Sequence, residues 1–229
     1  PTATSLSGSA TSLSLGKEAG RWTIGTDFYA YSPGFEVNDG GFATEADGIF
    51  HGIRLGRRWL DPGKVFRRFN VNATWAQNWN FGGVATSRSA YLGVGGQLLN
   101  YWSFNVSGNY GLAALNDNAT RGGPLMRKPG VWSTNAYVNS DRRKKANGGV
   151  GAYWSRNEIG GFVWGVGPSV SVRPSGAVDL NLSLNYDKSG SKGFYVTQRA
   201  DPTATEMYGG RYLFSELMQE SLNATLRAD

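Results

Sequence analysis

The chain has no cysteine and one histidine, His51. That excludes disulfide frameworks and thiolate metal centres, and it removes most zinc chemistry and histidine-dependent catalysis. Charged residues make up only 17% of the 229 positions, which is sparse for a surface bathed in water on every side. No apolar run approaches the roughly 18–20 residues of a membrane-spanning helix. No helical period persists either, although ELMQESL (216–222) fits helix or strand. The opening PTATSLSGSATSLSL is polar and lacks the basic-then-apolar order of a secretion signal. For an exported protein the expectation is then a mature form or an internal fragment.

What the chain does have is glycine (33 residues), aromatics (13%) and a net charge of +6 with a pI near 9.6. A basic balance points to anionic partners: nucleic acid, lipid headgroups or acidic solutes. The stretch FNVNATWAQNWNF (69–81) sets the dominant pattern. Phe69, Val71, Ala73, Trp75, Trp79 and Phe81 share one alternation phase, broken only by Gln77. Asn70, Asn72, Thr74, Ala76, Asn78 and Asn80 occupy the other. Successive strand side chains point to opposite faces, so such a ribbon has one greasy face and one wet face. The pattern recurs at Trp22/Ile24/Phe28/Ala30, at Trp102/Phe104/Val106/Tyr110, and at Leu180/Leu182/Leu184/Tyr186 against Asn181/Ser183/Asn185.

About twelve such segments of roughly 9–16 residues are separated by turn signals such as DPGK, FGGV and RPSG. Average globular strands run nearer ~5–6 residues, whereas tilted membrane-barrel strands need about 9–11. Alternation alone fits a soluble sandwich or a membrane barrel. Three features favour the barrel. Trp22, Trp59, Trp79, Trp102, Trp132, Trp154 and Tyr186 lie near segment ends, where interfacial rings belong. The wet phase is Asn, Ser, Thr and Gly, which suits an enclosed interior better than an open water face. A mean hydropathy of −0.38 fits strands that are half polar. The expected fold is all-β, an antiparallel transmembrane β-barrel, with residues 1–229 forming one region of a larger barrel.

The long connections 32–48 and 114–130 follow the second and sixth segments and so share one end, assigned to the exterior because external loops are the longer ones. The other end carries a basic rim: Lys64, Arg67, Arg68, Arg142, Arg143, Lys144 and Lys145. On this count the connection 199–210 falls on the wrong side. A lipid-facing sheet edge leaves backbone groups unpaired at several kcal/mol each, so a chain closing on LNATLRAD is expected to need further strands.

RRWLDPGKVFRRFNV, WAQNWNFGG, NYWSFNVSGNYGL, LNDNATRGGPLMRKPG and MYGGRYLFSEL together resemble the C-terminal part of an uncharacterised group of bacterial outer-membrane proteins. Members of that group pair an N-terminal carbohydrate-binding module of family 9 type with a long barrel. The resemblance covers roughly residues 15–229 and implies an outer-membrane location. It carries no sugar-binding role onto any residue of this chain.

In the loop 116–130, Asp117, Arg121, Arg127 and Lys128 are candidates for a lumenal constriction, with an ordinary surface loop as the alternative. Arg54 and Arg58 share the phase opposite Ile49, Ile53, Leu55 and Trp59, so they are expected to face inward with Asp27 as a partner. The basic rim is a candidate for lipid phosphates or an acidic protein surface. His51 shares the apolar phase, which argues against a serine–histidine lipase. Several Asn-x-Ser/Thr matches, such as that at Asn72, are by-products of the polar phase. No enzymatic activity and no cofactor are expected. The expected partners are the bilayer and lipopolysaccharide, then other outer-membrane proteins or the remainder of a longer chain, and not nucleic acid. The leading expectation is a pore or transport conduit for saccharides or anionic solutes. The alternatives are an anchoring barrel that docks other proteins and a soluble β-sandwich.

Overall fold

The computed structural model describes residues 7–35, 46–116, 120, 124–176 and 178–228. Thirteen strands follow in chain order: β1 (Ala10–Lys17), β2 (Trp22–Tyr31), β3 (Gly48–Trp59), β4 (Phe66–Trp79), β5 (Ala85–Leu98), β6 (Ser103–Gly111), β7 (Ala114–Asn116), β8 (Met126–Lys128), β9 (Val131–Asn139), β10 (Ala146–Asn157), β11 (Phe162–Ser175), β12 (Val178–Ala200) and β13 (Gly210–Ala228). Eleven form one antiparallel meander, β1 through β6 and then β9 through β13, while β7 and β8 make a separate hairpin. Within the described residues, β1 and β13 each have a neighbour on one side only.

Register keeps the two phases apart across the whole sheet. Ile24 pairs with Leu55, Leu55 with Ala73 and Ala73 with Leu92, while Gly56 pairs with Asn72 and Asn72 with Gly93. Farther along, Val170 pairs with Leu182 and Leu182 with Leu226. A slip of one residue would exchange the faces, so this pattern fixes the register strongly.

Two tight turns use one device. Asn80 Oδ1 accepts the Val84 N–H at 2.9 Å, and Asn157 Oδ1 accepts the Gly161 N–H at 2.7 Å. In each turn the residue three beyond the asparagine is a left-handed glycine, Gly83 (φ 78°) or Gly160 (φ 88°).

The apolar face is uncovered. Trp132 is 57% exposed, Leu92 54% and Leu222 71%, and the sole buried hydrophobic residue among those described is Ala114. The accessible surface is 15340 Å², against roughly 10,000 Å² for a compact globular chain of this mass. This is a single-layered wall. It overturns the sandwich alternative, which needs the apolar faces of two sheets packed on each other.

The strand count also corrects the placement of the connections. The eleven-stranded order puts the links 32–47, 112–130 and 201–209 at one end. The links 18–21, 60–65, 99–102, 140–145 and 176–177 lie at the other. The 199–210 connection is therefore on the long side, and the discrepancy came from counting one segment too many before it.

Candidate functional site on the polar face

Cavities of about 530 Å³, 530 Å³ and 260 Å³ are lined largely by residues of the polar face. In β2 and β3, Asp27 and Arg54 sit on this phase, and the Arg54 guanidinium donates directly to the nearly buried Asp27 carboxylate. Arg58, four residues on along the same face, is held loosely. It donates to the Glu18 carbonyl at 3.3 Å and stands 3.9 Å from the Glu18 carboxylate. Arg68 belongs on this wall as well. It lies in β4 on the phase of Asn70 and Asn72, pairs in register with Gln97 and lines the first cavity with Arg58. It also lines a cavity of about 360 Å³ with Asp61 and Lys64 of the turn before β4, so it stands at the rim while its strand phase carries it inward.

The second cavity shows what the loop 112–130 does. Tyr29, Phe50, Asn78 and Ser87 of the wall line it together with Leu115, Asn116 and Lys128 of the β7–β8 hairpin. The hairpin therefore folds against the polar face. Ala114 is buried there, and the Thr120 hydroxyl, 1% exposed, donates to the Pro124 carbonyl at 2.9 Å. Arg127 instead reaches the β10–β11 turn, where it pairs with Glu158 at 3.0 Å. Asp117 and Arg121 lie outside the described residues.

Across β9–β13 the wall is built differently. The Tyr137 ring lies over Gly151, its register partner, where an added Cβ would meet the ring at 2.8 Å. Tyr153 lies over Gly165 at 2.7 Å from such a Cβ, and its hydroxyl donates to Asp187. Ser221 Oγ donates to the other oxygen of Asp187 at 3.3 Å.

At the short-turn end, Arg67 and Arg143 stand over the Tyr101 ring at 4.1 and 3.0 Å from its centroid. Arg143 also clasps Asp141 through Nε and Nη2 at 2.8 and 2.7 Å. That clasp holds the Asp141 carboxyl down at about 2 and raises the Arg143 guanidinium. Arg142 offers its carbonyl to Arg173 at 2.7 Å, and Lys64, Lys144 and Lys145 sit in the neighbouring turns. Arg57 went unnoticed in the sequence. It lies between Trp22 and Trp59, 4.9 and 4.7 Å from their rings, at the margin of the apolar face. His51 Nε2 meets Thr26 Oγ1 at 3.1 Å on the apolar face, in register with Gln77.

A protein-family model described as a domain of unknown function (DUF5916) matches residues 2–228. No curated protein matches the chain. Among solved structures, an anion-selective porin from Comamonas acidovorans is similar, with a TM-score of 0.54 and 10% sequence identity. The alignment covers 95% of this chain, which spans 58% of the porin's length. At that identity the likeness establishes a porin-like fold and no more.

Proposed function

The chain belongs to this family of unknown function, and we propose that it builds the wall of an outer-membrane pore whose lumen favours small polar and anionic solutes. The observation that carries the reading is the division of one single-layered sheet into an uncovered apolar face and a polar face with cavities along it. An apolar face this large would be an aggregation hazard in water and is the natural surface against hydrocarbon. On the polar face Arg58 and Arg68 supply the positive field, as charged rings do in pores, while Arg54 is paired with Asp27. The similar porin is itself anion-selective, which agrees with that field. Strands beyond β1 and β13 would complete the barrel, because an edge in lipid is costly. The long connections then face outward, lipopolysaccharide surrounds the apolar face, and the basic turns face the periplasm. The reading is non-catalytic. A saccharide cargo would suit the sugar-binding module of the proteins it resembles.

The test is conductance. Purified protein in planar bilayers is expected to give discrete steps, and in a KCl gradient a reversal potential on the chloride side. Absence of steps would sink the pore. One observation favours an anchoring role instead. β12 and β13 remain paired well beyond Phe162↔Gly190, where β11 stops, and this ribbon exposes Phe194, Val196 and Leu213. Protein capture through that ribbon without conductance would support anchoring.

A further inference from the structure

Resting on the reading of the polar face as a water-filled interior, we infer that Arg58 and Arg68 form a binding station for small polyhydroxylated carboxylates, the chemical class of sugar acids. The three wall arginines are not equivalent. Arg54 is committed to Asp27 and is neutralised there. Arg58 makes only long contacts to Glu18, at 3.3 and 3.9 Å. The Arg68 guanidinium has no hydrogen-bond or ion-pair partner among the described residues. Both residues are exposed and line the same cavity of about 530 Å³. A guanidinium fork matches the two oxygens of a carboxylate and binds them in parallel.

The rest of the cavity suits hydroxyl groups. Thr23, Asn70, Asn72, Ser103 and Asn105 line it and offer donors and acceptors without charge. Its floor is glycine. At Gly95 an added Cβ would stand 3.1 Å from Asn105 Nδ2 and 3.2 Å from Asn70 Oδ1, so the two amides converge over bare backbone. Carboxylate recognition at one side and hydroxyl recognition at the other specify an acid with several hydroxyls. Neither a bare halide nor a neutral sugar would use both.

The experiment is equilibrium binding of D-glucuronate and D-glucose to the detergent-solubilised full chain by calorimetry, with conductance read on the same preparation. Saturable glucuronate binding is expected, at least about tenfold tighter than glucose, which corresponds to about 1.4 kcal/mol. Arg68→Gln should weaken glucuronate about tenfold and leave glucose unchanged. Arg68→Lys should recover only part of the loss, since it keeps the charge and loses the fork. Arg142→Gln, at the rim, should bind as the wild type does. Equal binding of the two sugars, no saturable binding, or an Arg68→Gln variant as tight as wild type would each overturn the station. Channel steps without glucuronate binding would leave the pore standing and remove the site. Binding without steps would do the reverse.

Discussion

Across the polar face, β2–β6 set Arg54, Arg58 and Arg68 against a single strand carboxylate, Asp27. Across β9–β13, Asp179 and Asp187 share the polar phase with Arg173 and Arg227, Arg199 and Arg211 lie farther out on the β12–β13 ribbon, and the relief is filled by Tyr137 and Tyr153 lying over glycines. Both halves present the same uncovered apolar face on the other side. The difference is therefore not demanded by the fold. One half holds open guanidinium groups and amides around two cavities of about 530 Å³, while the other is packed with rings and holds one of about 260 Å³. The first has the character of a solute-contacting wall and the second that of a packed support.

The largest effect expected to test this contrast is steric. Gly165→Ala drives a methyl group into the Tyr153 ring beside its bond to Asp187, with few ways to yield, and should cost about 1–3 kcal/mol. Gly95→Ala in the open half meets the ends of two asparagine side chains, with the Phe104 carbonyl at an ordinary 3.5 Å, and should cost less than about 1 kcal/mol. Thermal unfolding followed by gel mobility would check the pair, and equal losses would erase the distinction.

Next is charge. Asp27→Asn frees Arg54 from its partner, adding a third open guanidinium to β2–β6. Anion selectivity, read from the reversal potential, should rise, with about 1 kcal/mol of stability lost. Asp187→Asn, behind Tyr153, should shift selectivity less.

The smallest effect lies at the rim and serves as a reference for both halves. The Asp141 carboxyl is held at about 2 in the folded chain against an ordinary value of 3.8. A depressed carboxyl stabilises above its unfolded value and loses that contribution as pH falls toward the folded one. The protection of amides in the 140–145 turn, relative to their intrinsic exchange at each pH, should therefore fall between about pH 4 and pH 2. Arg143→Gln should show low protection throughout, with little dependence of that protection on pH.

The two phases were legible in the sequence because the environment dictates every second residue of a strand. Phe69 through Trp79 could hardly be read otherwise, and the inward phase of Arg54, Arg58 and Asp27 followed from Ile53 and Leu55. The segment count failed where alternation itself fails. Bulges between Ser191 and Phe194 and between Tyr195 and Thr197 break the phase within β12, so one 23-residue strand did not look continuous. The inward phase of Arg68 went unread behind its place in the rim, though its spacing of two from Asn70 was the signal. Nothing local could announce Arg127–Glu158, which joins a hairpin to a turn 31 residues away. The Tyr–Gly pairs likewise depend on cross-strand register, which no single segment contains.

Because the chain has no cysteine, the central claim can be probed directly. Single cysteines placed in turn at Leu180, Asn181, Leu182, Ser183, Leu184 and Asn185, with the protein in lipid vesicles, would be exposed to a water-soluble maleimide. The account predicts period-two labelling, fast at Asn181, Ser183 and Asn185 and slow at the leucines. Fast labelling of the leucines, or equal labelling of both phases, would contradict it.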